Sequence, residues 1–283
     1  MFSIVIPTCG TKGISLVDNL LDSISKFDNS NLDEIIISDD GSNYYTILGL
    51  DTLKEKYKDR LNIKLIYNGY FHSFSKTVNV GMKLANPGND ILLLNNDMLT
   101  LTSFEPFIDF IKKNNDTYNN NKNKIGIIGA KLLYPDLRIQ HAGIIRIPFL
   151  HHFVHRFKYK NYNYDVTNFP TQYIAVTGAC QYISRDLINT IGYYDECYIL
   201  SYEDVDYCIS AQTSGYEVWY IPDVVMIHYE SATRHKSQYD HQNLLRFWTK
   251  WNKSYEQLDP NIKNENIMKT GIILLGTFYL LTI

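Results

Sequence analysis

The chain of 283 residues is long enough for one α/β domain with a large core and a helical tail. Its formal net charge of −3 argues against an overall attraction to nucleic acid, so we expect no nucleic-acid partner. The four cysteines form no C-x-x-C pair, which argues against a zinc site or a disulfide framework and favours free buried thiols in a reducing compartment.

Strand-like and helix-like segments alternate through the first half of the chain. The pattern predicts strands over residues 3–7, 34–38, 63–67 and 90–94, and helices over residues 14–27, 48–58 and 75–84. This βαβα order is typical of a mostly parallel, nucleotide-binding sheet with helices on both faces. Because the first predicted strand begins at residue 3, we expect no signal peptide and a cytoplasmic protein.

The second half is less regular. A polar, low-complexity segment over residues 114–124 is expected to be a solvated loop, residues 151–164 a mobile connector, and residues 205–213 a helix. Strands are predicted at 126–133, 139–147, 173–184, 218–221 and 224–228. We therefore predict one α/β domain over residues 1–235, with a nucleotide-binding half (1–113) and a smaller mixed half (125–235). A helical tail over residues 236–283 follows it.

The sequence ILLLNND at residues 91–97 is a buried-looking strand that ends abruptly on polar groups. In open α/β sheets, ligands bind at the carboxyl ends of such strands. A carboxylate there has to be solvated, paired or bound to a cation, which makes Asp97 a candidate ligand for a hard divalent metal. A polar turn after a core strand is the alternative interpretation.

A second strand ends on the sequence DDGS at residues 39–42. The adjacent carboxylates of Asp39 and Asp40 can accept hydrogen bonds from a nucleotide base and from ribose hydroxyls. Gly41 would let the backbone turn sharply beside such a ligand. A tight Asp-Gly turn without a ligand explains the same residues.

Three acids open the predicted helix that follows residue 202. Glu203, Asp204 and Asp206 complement the helix dipole, and capping is one explanation of their position. Their mutual repulsion favours a cation or substrate nearby, and one such carboxylate could take the proton from an attacking sugar hydroxyl.

His228 ends an apolar strand downstream of these acids. A histidine there often bonds only to the backbone. With Asp97, however, it would supply one carboxylate and one imidazole, a set that suits Mn²⁺ and tolerates Mg²⁺.

Three further histidines, His151, His152 and His155, lie close together among basic residues. They admit a metal cluster, a phosphate- or acceptor-facing loop, or a solvated loop. The glycine-rich patterns of dehydrogenases and P-loop kinases are absent from the sequence.

The apolar segment at residues 271–283 (GIILLGTFYLLTI) is shorter than the roughly 20 residues that a membrane-spanning helix needs. This segment either docks on the domain or makes peripheral contact with a membrane.

Taken in order, these segments resemble the family 2 glycosyltransferases of GT-A fold, particularly the rhamnosyltransferase-like branch. The matching segments are SIVIPT (3–8), DDGS (39–42), ILLLNND (91–97), GIIGAKLLYP (126–135), IQHAG (139–143), TGAC (177–180), EDVD (203–206) and residues 215–228. Each motif is short, but their ordered succession covers roughly four fifths of the chain. The resemblance implies an inverting transfer of a sugar from a UDP- or dTDP-linked donor, with Mn²⁺ or Mg²⁺ as the cofactor.

The resemblance also implies a role for each matching residue. Asp97 and His228 would bind the metal, while Asp204, with Glu203 beside it, would be the catalytic base. The donor side would consist of Pro7, Thr8, Asp39, Asp40, Asn79 and Asn96. The acceptor side would consist of Thr177, Gly178 and Ala179, and the acceptor would be a glycan, a lipid carrier or a protein.

Two departures from the family pattern favour alternatives. Asn95 stands where many members carry the first acid of an Asp-x-Asp motif. Phe71 and Ser73 stand where Asn and Gly of an Asn-x-Gly-Phe motif are usual. A non-catalytic sugar- or nucleotide-binding protein on a transferase scaffold is therefore one alternative, and a nucleotidyltransferase is another.

Overall fold

The computed structural model describes residues 1–70, 72–117, 124–147, 152–230, 240–252 and 254–258. Its strands, in chain order, are β1 (Phe2–Thr8), β2 (Leu32–Asp39), β3 (Ile63–Tyr67), β4 (Asp90–Leu94), β5 (Met98–Thr100), β6 (Lys124–Leu133), β7 (Ile139–His141), β8 (Ile144–Ile147), β9 (His152–His155), β10 (Thr171–Gln172), β11 (Cys180–Ile183) and β12 (Tyr216–His228). Its α-helices are α1 (Lys12–Ile24), α2 (Tyr44–Tyr57), α3 (Phe74–Leu84), α4 (Glu105–Thr117), α5 (Arg185–Ile191), α6 (Glu203–Thr213) and α7 (Asp240–Trp251).

Within the described ranges, ten strands form one sheet in the order β10-β12-β6-β11-β4-β1-β2-β3, with β5 paired to β12 and β7 to β6. Strands β1 to β4 are parallel, as are β6 and β12, whereas β11 runs antiparallel to both β4 and β6. Strand β11 thus joins the two predicted halves into a single sheet.

Hydrophobic cores lie on both faces of this sheet. Successive residues of β1 point to opposite faces, so that Ile4 and Ile6 belong to one core and Val5 to the other. Helices α1, α2 and α4 cover the first face, while α3, α5 and α6 cover the second. Burial on both faces explains the near-continuous apolar runs in the sequences of β1, β2 and β4.

The predicted strand over residues 139–147 is wrong as a single element. It is divided into β7, which belongs to the large sheet, and β8, which pairs with β9. The break lies at Gly143, whose φ of +99° and contact with the Tyr173 ring both require the absence of a Cβ. Strand β9 lies in the segment that we expected to be a mobile connector.

Other boundaries also differ from the predictions. Only β11 is a strand within residues 173–184, and the two short strands predicted around Pro222 form one strand, β12, with a register shift between Tyr220 and Val225. Strands β5 and β10 and helices α4 and α5 were not predicted from the sequence. The predicted loop at 114–124 overlaps the end of α4 and the start of β6, and its residues 118–123 lie outside the described part of the chain.

All four cysteines are free thiols, but their burial differs. Cys180 and Cys208 are buried, whereas Cys9 is half-buried and Cys197 is exposed, so the expectation of burial is wrong for Cys197.

No helix within the described residues is long and apolar enough to cross a membrane. The apolar segment 271–283 lies outside those residues.

Candidate active site

A cleft of about 540 Å³ opens at the carboxyl ends of β1 and β4. It is lined by all but two of the thirteen residues that the sequence analysis assigned to a site, namely Pro7, Thr8, Asp40, Asn96, Asp97, Thr177, Gly178, Ala179, Glu203, Asp204 and His228. The two residues outside the lining are Asp39 and Asn79. Side chains from both halves of the sheet thus meet in one cavity.

Hydrogen bonds join the strand ends that line this cleft. The Asn96 side-chain amide donates to Thr8 Oγ1 at 2.9 Å, which joins the end of β4 to the end of β1. The Asn95 backbone N–H donates to the Ala179 carbonyl at 2.9 Å, which joins β4 to the segment ahead of β11. Because parallel strands end at the same edge, the residues that follow them converge there.

Asp97 and His228 form a close pair in the cleft, with His228 Nε2 3.1 Å from Asp97 Oδ1. The register of β12 on β5 places His228 opposite Met98, and the Tyr229 N–H donates to the Asp97 carbonyl at 3.0 Å. Both side chains are buried, with 10% and 6% of their surfaces exposed for His228 and Asp97. Strand pairing therefore brings together two residues 131 positions apart in the sequence.

The hydrogen bonds of Gln140 determine the tautomer of His228. The Gln140 amide nitrogen lies 3.4 Å from the His228 carbonyl and 3.4 Å from Glu230 Oε2, both of which can only accept. Its oxygen therefore faces His228 Nδ1, at 2.6 Å, and this ring nitrogen carries the proton. Nε2 faces Asp97 Oδ1, and when this nitrogen carries no proton the contact is unfavourable unless a cation lies between the two atoms.

This pair fits a divalent cation. A metal-binding histidine usually donates its other N–H to an oxygen acceptor, which is what His228 does towards Gln140. Asn95 also lines the cleft, and its buried Oδ1 has no hydrogen-bond partner within the described part of the chain. The described residues contain no group of three or more His, Cys, Asp or Glu side chains that could hold a metal. Two protein ligands suit Mg²⁺ or Mn²⁺ only where a substrate supplies further oxygens.

Asp204 lies in the first turn of α6 and lines the same cleft as Asp97 and His228. Its Oδ2 accepts the Gly178 N–H at 2.9 Å and its Oδ1 accepts the Val205 N–H at 2.8 Å. The bond to Gly178 places this carboxylate next to the segment predicted to face the acceptor. A Cβ on Gly178 would lie 3.2 Å from Asp204 Cβ, so a glycine allows this close approach.

The two acids at the end of β2 have different environments. Asp40 lines the cleft and accepts the His72 N–H at 2.8 Å; burial raises the pKa of Asp40, and this hydrogen bond offsets the rise only in part. Asp39 is 1% exposed, and its Oδ2 accepts the Ser42 N–H at 2.9 Å. Asp39 Oδ1 is buried and has no hydrogen-bond partner among the described residues. An unsatisfied buried carboxylate oxygen is costly without a ligand donor.

Comparison with known proteins identifies the family. The sequence profile described as "Glycosyl transferase family 2" matches residues 3–181, which is more than half of the chain. The chain belongs to glycosyl transferase family 2. The resemblance inferred from the ordered motifs is thereby confirmed.

Two curated relatives share parts of this family 2 sequence. One is an uncharacterized protein, y4gI, of Sinorhizobium fredii, 32% identical over 115 residues, which cover 39% of this chain and 12% of that protein. The other is the O-antigen biosynthesis protein RfbC of Myxococcus xanthus, 26% identical over 186 residues, which cover 64% and 14%. The chain thus spans a small fraction of the length of either relative.

The fold of this family 2 protein is similar to that of GalNAc-T7, solved with UDP, GalNAc and Mn²⁺. The TM-score is 0.69 at 16% sequence identity, over 90% of this chain and 50% of that chain. At this identity the likeness shows the fold, and it confirms the predicted GT-A architecture.

Asn79, which was predicted on the donor side, is not among the residues that line the cleft of this family 2 protein. Its amide nitrogen donates to the Tyr194 carbonyl at 2.8 Å and to Glu196 Oε1 at 3.1 Å, and its Oδ1 accepts the Tyr194 N–H at 3.0 Å. The side chain is 1% exposed. These bonds hold the segment around Tyr194, and the donor-side role of Asn79 stays a prediction.

Sequence analysis assigned no role to several cleft residues, among them Gln140, Phe153 and Tyr202. For Gln140 a signal existed, because it belongs to a segment that matched the family pattern. His152 and His155, left open as part of a histidine-rich loop, also line the cleft, whereas His151 lies outside the described residues.

The half-buried His155 pairs with a fully buried histidine, His141. His155 Nδ1 lies 3.1 Å from His141 Nδ1, and His141 Nε2 accepts the N–H groups of Gly143 and Thr177 at 3.3 and 3.5 Å. Burial lowers the pKa of His155 to about 4 and lowers that of His141 as well. The pair is therefore neutral near pH 7 and supports the segment at Thr177.

Proposed function

We propose that this chain is an inverting, metal-dependent glycosyltransferase that moves a sugar from a nucleoside-diphosphate sugar to a hydroxyl acceptor. The observation that carries the proposal is the position of three side chains: Asp97, His228 and Asp204 line one cleft. The family 2 profile and the GT-A fold support sugar transfer as the reaction class.

The donor binds, in this proposal, at the strand ends that Pro7, Thr8, Asp40 and Asn96 line. The buried Oδ1 of Asp39 accepts an N–H of the nucleotide base, which would satisfy an atom that has no partner among the described residues. A pyrimidine base with a ring N–H, as in UDP- or dTDP-sugars, offers such a donor. The UDP present in the GalNAc-T7 structure supports this donor class.

Mn²⁺ or Mg²⁺ is the proposed cofactor, held by Asp97 and His228. When bound, the cation neutralises negative charge on the departing diphosphate, which supplies several kcal/mol of transition-state stabilisation. Gln140 keeps the proton of His228 on Nδ1, so that Nε2 remains available as a ligand. The Mn²⁺ in the GalNAc-T7 structure supports a divalent cation in general.

Asp204 acts as the base in this proposal. As the acceptor oxygen forms its bond to the anomeric carbon, its proton passes to Asp204, and the bond to the diphosphate breaks with its electron pair leaving on phosphate. A single displacement inverts the anomeric centre. Glu203, buried beside Asp204, adds negative charge that favours the protonated form of the base after transfer.

The acceptor approaches along Thr177, Gly178 and Ala179, with Phe153 and His152 on the neighbouring wall. It is a hydroxyl of a glycan, a lipid carrier or a protein. Residues 271–283 lie outside the described chain, and peripheral membrane contact through them stays a prediction.

A donor and product assay tests this function. UDP-, dTDP- and GDP-sugars are screened by thermal shift with Mn²⁺, and the stabilising donor is incubated with an acceptor panel. The proposal expects release of nucleoside diphosphate and a product of inverted anomeric configuration. Tight donor binding without transfer or donor hydrolysis would instead favour a non-catalytic binding protein, and release of pyrophosphate would favour a nucleotidyltransferase. Asp97→Ala and His228→Ala should each lose the Mn²⁺ dependence of donor binding.

A further inference from the structure

The turn that precedes α6 has an unfavourable backbone. Ser201 and Tyr202 are consecutive non-glycine residues with φ angles of +75° and +69°. Residues with a Cβ disfavour this left-handed region because the Cβ approaches the following carbonyl oxygen. Such a turn persists only where its surroundings hold it in place. Asp204 follows two residues later, so these backbone angles determine where its carboxylate lies.

One side chain of α7 holds this turn. Asn243, which is 3% exposed, donates from its amide nitrogen to the Leu200 carbonyl at 2.5 Å and to the Ser201 carbonyl at 3.1 Å. A side-chain amide has two N–H groups and can therefore bond to both carbonyls at once. The two bonds connect α7 directly to the backbone with positive φ.

A second contact joins α7 to the other side of Asp204. Asp206, which is 2% exposed, accepts hydrogen bonds from Lys250 Nζ at 2.7 Å and from Trp251 Nε1 at 2.8 Å. A buried carboxylate needs such partners to offset its lost hydration. Helix α7 therefore contacts the chain both before and after Asp204.

A third contact is apolar. The fully buried ring of Phe247 packs against Tyr202, with ring centroids 5.5 Å apart, and against Phe153 of β9, with centroids 5.3 Å apart. Both partners line the cleft. Helix α7 thus makes three contacts around the turn. It bonds to the backbone carbonyls of the turn, packs against the Tyr202 ring, and bonds to Asp206 of α6.

We propose that α7 positions the carboxylate of Asp204, with Asn243 as a positioning residue for the transfer step; this inference rests on the proposed role of Asp204 as base. Helix α7 lies outside the residues that the family profile matches. Without the Asn243 bonds, Ser201 and Tyr202 relax towards negative φ, the first turn of α6 shifts, and Asp204 moves away from the Gly178 N–H. The strand ends on the donor side do not change.

Steady-state kinetics of Asn243→Ala test this role. We expect kcat to fall at least tenfold, while donor KM and Mn²⁺-dependent UDP affinity stay within twofold. Thr249→Ala is the matched control, because Thr249 is exposed on the same helix and its hydroxyl donates to the Leu245 carbonyl of that helix. Unchanged kcat in Asn243→Ala would overturn the proposal.

Recovery by a second substitution separates positioning from general loss of structure. A glycine adopts positive φ without the penalty that serine pays. Adding Ser201→Gly to Asn243→Ala should therefore recover kcat several-fold relative to Asn243→Ala. A further fall in kcat, together with a lower melting temperature, would mean that Asn243 only stabilises the fold.

Hydrogen exchange measures the same turn without reference to activity. The Asp206 N–H bonds to the Tyr202 carbonyl at 2.9 Å, and we expect Asn243→Ala to raise its exchange rate at least tenfold while amides of β11 are unaffected. Unchanged exchange would overturn the positioning role. If Asn243→Ala raises the exchange rate but the wild-type protein transfers no sugar, the contact between α7 and the turn is supported and only the proposed function is contradicted.

Discussion

Gln140 accepts the Nδ1 proton of His228 across 2.6 Å, and this bond turns the other ring nitrogen towards Asp97. The three residues come from different strands or strand ends, and two sheet registers bring them together. This arrangement makes the proposed metal site sensitive to a residue that does not contact the metal.

Removing the acceptor for His228 should weaken the metal site. Gln140→Met keeps a side chain of similar length without an acceptor for Nδ1, and we expect the affinity for Mn²⁺ with UDP to fall about 10- to 100-fold. Calorimetric titration measures this affinity. Gln212→Met is a suitable control, because Gln212 also donates to a carbonyl, that of Ile174, but lies in α6 away from the pair. Equal Mn²⁺ affinity in the two variants would contradict the role of Gln140.

The neutral His141–His155 pair predicts a loss of stability in mild acid. The unfolded chain protonates His155 near pH 6.5, whereas burial and the nearby Lys158 charge lower its folded pKa to about 4. The unfolded state therefore binds more protons across this window, and the free energy of unfolding falls as the pH drops from about 6.5 to 4. At about 1.4 kcal/mol per pH unit, His155 accounts for at most about 3.5 kcal/mol.

His155→Asn tests this prediction, because an asparagine oxygen can accept from His141 and does not titrate. Urea unfolding at several pH values should show a shallower decline for the variant between pH 6.5 and 4. The exposed His241 provides the control, and His241→Asn should run parallel to the wild type. If the free energy of unfolding of His155→Asn falls with pH as steeply as that of the wild type, the fold does not hold His155 neutral.

The bend at Gly143 predicts a strong effect of a single methyl group. A Cβ there would lie 2.2 Å from the Tyr173 ring, and the φ of +99° is unfavourable for alanine. Overpacking and strain each cost about 1–3 kcal/mol, so Gly143→Ala should lower the free energy of unfolding by at least about 2 kcal/mol. Chemical denaturation measures this change. Gly88→Ala, where the added Cβ meets only Asn86 Oδ1 at 3.5 Å, should stay within about 1 kcal/mol of the wild type.

The strands that carry the donor side were predictable because each is apolar and buried on both faces. Asp40 and Asp97 follow such strands, and the rule that ligands bind at the carboxyl ends of parallel strands was enough to select these acids as candidate site residues. The ordered motifs then identified the family, which the sequence profile confirms.

The remaining features depend on contacts between distant segments. Asn79 matched a family motif, but a buried amide can serve the fold as well as a ligand, and only the coordinates show its bonds to Tyr194. The role of Gln140 depends on the registers of β7 and β12. The contacts of α7 with the turn at Ser201 leave no periodic signal in the sequence, since they involve single polar side chains and backbone carbonyls.

The measurement that tests the central claim most directly compares transfer and donor binding in Asp204→Asn. Asparagine is isosteric and its oxygen can still accept the Gly178 N–H, but it cannot take the acceptor proton. Asp223→Asn, at an exposed acid of β12, is the matched control. We expect kcat of Asp204→Asn to fall about 10²- to 10⁴-fold with UDP and Mn²⁺ affinity unchanged. Near wild-type transfer by Asp204→Asn would contradict the account.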